Sequence, residues 1–154
     1  MKRKAGKKGP VRAKKVSYDG INFASGLEKY MHIALKKAKI KAAYEGQTFE
    51  LVEAFDFNLK SVERQGNGKG EYRDRGNKKI QNIKYTPDFI GSDFIIETKG
   101  RANESFPMRW KLFKGLLTRK NMITQKPINW TLYKPQNHKE CDETIRLILL
   151  QQNT

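Results

Sequence analysis

Cysteine, histidine and acid are all scarce in this chain, and each scarcity excludes something. Cys141 is the single cysteine among 154 residues, so no internal disulfide can form. His32 and His138 are the only histidines and lie far apart in sequence. No Cys/His cluster has zinc spacing, which argues against a histidine-based metal site. No apolar run is long enough to span a bilayer. The basic N-terminus has no apolar segment behind it, so a secretory signal is not expected. A reducing, intracellular setting follows as the expectation.

The shortage of acid is the most informative. Lys and Arg number 32 against 16 Asp and Glu, a net charge of +16 and a pI near 10.0. That balance says little about fold and much about partners, because polyphosphate is the commonest polyanion a basic protein meets. The plain alternative is a solvated basic surface or a lysine-rich tail. At this length a single domain is expected. With 37% hydrophobic residues it can bury a core.

Residues 1–15, MKRKAGKKGPVRAKK, hold eight Lys/Arg and no acid. Nothing there can be buried and the charges repel, so the expectation is a disordered basic arm over about 1–20. One domain should then cover 21–154. The arm's Lys2, Arg3, Lys4, Lys7, Lys8, Arg12, Lys14 and Lys15 are candidates to capture a phosphate backbone; a solubilising tail is the alternative.

Ser25-Gly-Leu-Glu28 reads as a capping box at the start of a helix. Leu27, Met31, Ala34, Leu35 and Ala38 follow at helical spacing. Glu28 lies about 100° from Leu27, at the edge of that stripe, near the core but not inside it. Residues 43–59 read as extended. Residues 60–82, rich in Gly, Asn and charge, form either a long hairpin arm turning at Gly66–Gly70 or a loose loop. Arg64, Lys69, Arg73, Arg75, Lys78 and Lys79 make this insertion a second candidate nucleic-acid contact. A helix from about Ser105 to Arg119 would bury Phe106, Trp110, Phe113 and Leu117 and expose Arg109, Lys111, Lys114 and Arg119. Ile128–Tyr133 reads as a strand. A last helix over about 139–151 would bury Cys141, Ile145, Ile148 and Leu149. This order predicts an α/β fold with a mixed central sheet flanked by helices.

The chemistry centres on KYTPDFIGSDFIIETKG, residues 84–100. Gly91-Ser92 suits a two-residue hairpin turn with glycine first. Phe89 then faces Phe94, and Asp88 faces Ile95. Pro87, Phe89, Phe94 and Ile96 share an apolar face; Asp88, Ile95, Glu97 and Lys99 share the other. Asp88 and Glu97 become diagonal neighbours about 7–8 Å apart at the backbone. Two carboxylates that close need a proton or a cation, and hard oxygen ligands with room for water suit Mg²⁺ or Mn²⁺. Lys99 could order an attacking water or neutralise charge in the transition state. The alternative is an ordinary Lys–Glu pair on a solvated sheet face.

Pro87-Asp88, eight intervening residues and then Glu97-Thr98-Lys99 resemble the signature of the PD-(D/E)XK nuclease superfamily. YTPDF at 85–89, FIIETKG at 94–100 and FASGLE at 23–28 resemble segments of the bacteriophage T7-type endonuclease I family of Holliday-junction-resolving enzymes. The resemblance covers roughly 23–57 and 83–100. It implies an αβββαβ restriction-endonuclease-like core. Asp88, Glu97 and the main-chain carbonyl of Thr98 would ligate Mg²⁺ or Mn²⁺, and Lys99 would be the catalytic lysine. Glu28 would reach the same site, toward a second ion. It further implies a metal-dependent DNA endonuclease selective for branched DNA, encoded by a phage or prophage and acting in the host cytoplasm. Symmetric cutting of two strands would favour a homodimer. A duplex-nicking or repair-type endonuclease of the same superfamily is the runner-up. A basic nucleic-acid-binding protein without chemistry is the reading from a different class.

Overall fold

The computed structural model describes residues 13–101, 105–123 and 128–154. In chain order come β1 (Val16–Tyr18), β2 (Ile21–Phe23), α1 (Gly26–Lys37), β3 (Ala43–Tyr44), β4 (Phe49–Val52), β5 (Phe55–Phe57) and β6 (Val62–Glu63). They are followed by β7 (Arg73–Asp74), β8 (Lys78–Ile80), β9 (Ile83–Tyr85), β10 (Phe89–Ile90), β11 (Phe94–Ile96), α2 (Phe106–Ile123), β12 (Thr131–Tyr133) and α3 (His138–Gln152). The result is a mixed α/β fold with three helices and several small sheets among the described residues. No helix among them is long and apolar enough to cross a membrane. The described residues form two compact units.

The first unit takes the described residues up to Gly46, then 87–101 and Asn129–Thr154. Its sheet has the order β12-β11-β10-β3. β11 runs parallel to β12, and β10 is antiparallel to both β11 and β3. Phe89, Phe94 and Ile96 from one sheet face join Phe23, Met31, Leu35, Ile40, Cys141 and Ile148 in one apolar cluster. In α3 the buried residues are Cys141, Thr144 and Ile148. Leu149, expected inside, is 37% exposed. The helix turns its i, i+3, i+7 stripe inward instead, and Thr144 tolerates burial because its hydroxyl donates to the Glu140 carbonyl (2.8 Å).

Of the arm expected over 1–20, residues 1–12 lie outside the described residues and 16–18 form a strand. Val16–Tyr18 pairs with Ile21–Phe23 across Asp19-Gly20, both at positive φ (55° and 74°). Asp-Gly is a preferred pair for a two-residue turn of that shape. Phe23 anchors the hairpin with its side chain fully buried.

The second unit takes Gln47–Thr86, 105–123 and residue 128. β4 pairs with β9 across a bulge, and α2 covers this pair through ring contacts. Phe113 lies 5.0 Å from Phe49 and 4.8 Å from Tyr85. The 60–82 segment is the hairpin arm, not a loose loop: β5 pairs with β8 and β6 with β7. The Gln65 N–H donates to the Lys69 carbonyl (3.0 Å) at the tip, where Gly68 and Gly70 take positive φ.

Candidate active site

β10 and β11 carry the candidate chemistry, and their register differs from the expected one. Phe89 pairs with Ile96 and Ile90 with Ile95. The Gly91 N–H donates to the Phe94 carbonyl (2.9 Å), leaving Ser92-Asp93 as the connection. Gly91 is needed for space, not for its dihedral angle: a Cβ there would sit 2.3 Å from the Phe94 ring. The pairing moves by two residues, so every side chain keeps its face. The consequence for the site is large. One step beyond the paired residues, Asp88 falls opposite Glu97, a directly facing position and not a diagonal one.

The backbone beyond β11 continues along β12. The Glu97 N–H donates to the Tyr133 carbonyl and the Lys99 N–H to the Pro135 carbonyl, both at 2.9 Å. This pins Glu97 and Lys99 in an extended frame. Glu97 is 3% exposed, and the Lys99 ammonium lies 3.1 Å from its Oε1. Thr98 is buried between them. Its N–H and Oγ1 both donate to Asp88 Oδ2, at 2.7 and 2.6 Å. Thr98 therefore orients Asp88 through its amide and hydroxyl, a role that the expected carbonyl ligand did not suggest.

Burial pushes the Asp88 carboxyl up to about 7, with the charges of Glu97 and Glu28 adding to the effect and the Thr98 hydrogen bonds opposing it. Three carboxylates thus share one electrostatic neighbourhood. Desolvation and like charge both disfavour ionisation here, and a cation would relieve both.

Glu28 lies deeper than expected, at 6% exposure. Its N–H donates to Ser25 Oγ (3.2 Å), the forward half of the capping box. The carboxylate reaches back to different donors: Ser25 Oγ to Oε1 (2.9 Å), the Ala24 N–H to Oε2 (2.9 Å) and Tyr44 Oη to Oε2 (2.6 Å). Tyr44 comes from β3, directly across from Phe89. Burial and the Glu28 carboxylate both raise the Tyr44 phenol, so it stays a donor. Tyr44 was not apparent as a site residue, because its contact with Glu28 depends on strand pairing and has no local signature.

A cavity of about 400 Å³ opens beside these groups, lined by Ala13, Ala24, Ser25, Leu27, Glu28, Thr98, Lys99, Gly100 and Arg101. It brings the helix-borne glutamate and the Glu97-Thr98-Lys99 strand end to one place. Among the described residues no group of three or more His, Cys, Asp or Glu is arranged to hold a metal ion. The side chains here that could serve a hard divalent ion are the facing carboxylates of Asp88 and Glu97, with main-chain oxygen and water completing the shell.

Of the candidate nucleic-acid contacts, Lys2, Arg3, Lys4, Lys7, Lys8 and Arg12 lie outside the described residues. Lys14 and Lys15 are exposed. Two of the hairpin cations are occupied in holding the arm. Arg75 donates to the carbonyls of Glu63 and Glu71, and Arg64 to that of Gly70. Lys78 lies 3.6 Å from Glu63. Lys69, Arg73 and Lys79 are exposed.

Residues 8–131 match the family described as "Protein of unknown function (DUF1064)", and the chain belongs to that family. The match takes in Glu28, Asp88, Glu97, Thr98, Lys99 and the whole hairpin arm. No curated protein and no solved structure matches the chain.

Proposed function

We propose that this protein is a metal-dependent DNA endonuclease of the PD-(D/E)XK type, selective for branched DNA and working as a homodimer. The observation that carries the reading is the facing pair Asp88 and Glu97, with Lys99 at the same strand end and Asp88 driven toward its neutral form by burial and by the neighbouring carboxylates. Chain order adds support: once β1, β2, α3 and the short strands of the second unit are set aside, α1, β3, β10, β11, α2 and β12 read α-β-β-β-α-β.

In this reading Asp88 and Glu97 would hold Mg²⁺ or Mn²⁺, joined by the Thr98 carbonyl. Bound there, the ion supplies Lewis acidity toward a phosphate oxygen. The Thr98 amide and hydroxyl keep the Asp88 carboxylate turned toward the site. Lys99 donates to the attacking water or to the charge that develops on the phosphate oxygens. Water attacks phosphorus, one P–O ester bond breaks, and the departing oxygen takes up a proton. Glu28, fixed by Ser25, Ala24 and Tyr44, places its carboxyl group at the cavity wall, where it would serve a second ion.

The Lys99–Glu97 ion pair favours a second reading, a basic DNA-binding protein in which the pair is structural. Side-by-side incubation with end-labelled four-way junction, nicked, duplex and single-stranded DNA separates the two. Mg²⁺-dependent cleavage strongest on the junction is expected. Absence of cleavage on all four substrates in both Mg²⁺ and Mn²⁺ would leave the binding reading.

A further inference from the structure

The second unit carries a charge pattern that the proposed site does not use. α2 runs for 18 residues with five cations, Arg109, Lys111, Lys114, Arg119 and Lys120, and no acid. All five are exposed, and among the described residues none of them forms an ion pair. Like charges three apart, such as Lys111 and Lys114, destabilise a helix. The helix dipole compensates only cations in the last turn. Arg109 is tied to the Lys84 carbonyl, and Lys120 lies over the Phe49 ring at 5.9 Å. At 100° per residue, Lys111 and Arg119 fall on the side away from the buried aromatic stripe, and Lys114 on its flank, where its ammonium lies over the Trp110 ring at 5.6 Å.

Gly115 sits among these three. A glycine inside a helix is destabilising relative to alanine. Nothing in the fold requires it: an added Cβ would meet only the mobile guanidinium end of Arg119, at 3.3 Å. Two features that weaken the helix, the Lys111 and Arg119 cations and Gly115, therefore share one face, and among the described residues neither cation has an acidic partner. A polyanion lying along that face would offset both. Its phosphates would neutralise the cations, and the missing side chain would let a backbone approach closely.

We propose that the exposed face of α2 is a docking track for the sugar–phosphate backbone of DNA, with Lys111 and Arg119 as phosphate contacts across Gly115. This rests on the nucleic-acid half of the reading above and not on hydrolysis. A membrane surface is the competing polyanion, because Met122 and Ile123 at the helix end are exposed. Yet the main apolar stripe, which an interfacial helix buries in lipid, is packed inside the unit.

The test measures binding of the full chain to a short duplex by fluorescence anisotropy in EDTA, from about 50 to about 200 mM salt. Lys111→Gln/Arg119→Gln should weaken binding about tenfold and reduce the log–log salt slope by about 2, with Lys111→Arg and Arg119→Lys restoring it. Gly115→Ala should raise the melting temperature and still weaken binding, which a merely structural glycine would not do. Unchanged affinity and slope in variants that melt like the parent would overturn the proposal. So would loss of binding to phosphatidylglycerol vesicles with DNA binding intact. Because EDTA removes hydrolysis from the assay, failure of the nuclease reading would leave this result standing, and the reverse also holds.

Discussion

Asp88→Asn should stabilise the metal-free protein while removing a residue on which the proposed activity depends. The Asp88 carboxyl rises from an ordinary 3.8 to about 7 on folding. Between those values the folded state holds a proton that the unfolded chain releases. Stability from this group is therefore complete below about pH 4 and is lost as pH rises toward 7. Three pH units correspond to at most about 4 kcal/mol. Asp88 keeps partial contact with water, so screening reduces this to about 1–3 kcal/mol. Asparagine retains an oxygen for the Thr98 N–H and Oγ1 and carries no charge. Urea midpoints in EDTA should show the variant level with the parent near pH 4 and more stable by about 1–3 kcal/mol at pH 8. In a chain of this size each kcal/mol moves the melting temperature by about 2–4 °C. Adding Mg²⁺ should narrow the gap, because an ion that binds the folded parent alone stabilises it by mass action. A variant–parent difference that does not change with pH would refute the reasoning.

Three further outcomes are expected. Lys99→Ala should lower the single-turnover cleavage rate by about 10²-fold or more; it should also lower the melting temperature in EDTA, since Glu97 loses its ammonium partner, and an unchanged rate would reduce Lys99 to a structural ion pair. Replacing 64–79 with a short Gly/Ser linker should leave Mn²⁺ binding intact and reduce junction-over-duplex discrimination by about tenfold, or about 1.4 kcal/mol; light scattering tells whether the arm joins protomers instead. Deleting residues 1–15 should weaken binding to all DNA alike and flatten its salt dependence, because phosphate contacts carry no sequence information. An unchanged affinity and salt slope would make the arm a solubilising tail.

Much of the site was legible because it rests on local patterns. The Ser25–Glu28 cap, the apolar stripes of α1 and α2, and the alternation that separates Asp88 and Glu97 from Phe89 and Ile96 need only near neighbours. The turn at Gly91 was misplaced because its glycine answers to the Phe94 ring and not to a positive φ. The error did no harm to the faces, since an even register shift preserves them, but it hid that the two carboxylates face each other directly. The Asp19-Gly20 hairpin has a local signature in its dipeptide, but the basic run before it carries the stronger signal for an arm. Tyr44, the division into two units and the inward turn of Thr144 depend on contacts between residues distant in sequence. No periodicity encodes those.

The claim that Asp88 and Glu97 form a metal-dependent hydrolytic site is tested most directly by single-turnover cleavage of an end-labelled four-way junction in Mg²⁺, comparing the parent with Asp88→Asn and Glu97→Gln. The account predicts that both variants lose cleavage and bind the junction as tightly as the parent or more tightly, because a negative charge beside the phosphate is gone. Cleavage by both variants at nearly the parental rate would contradict it.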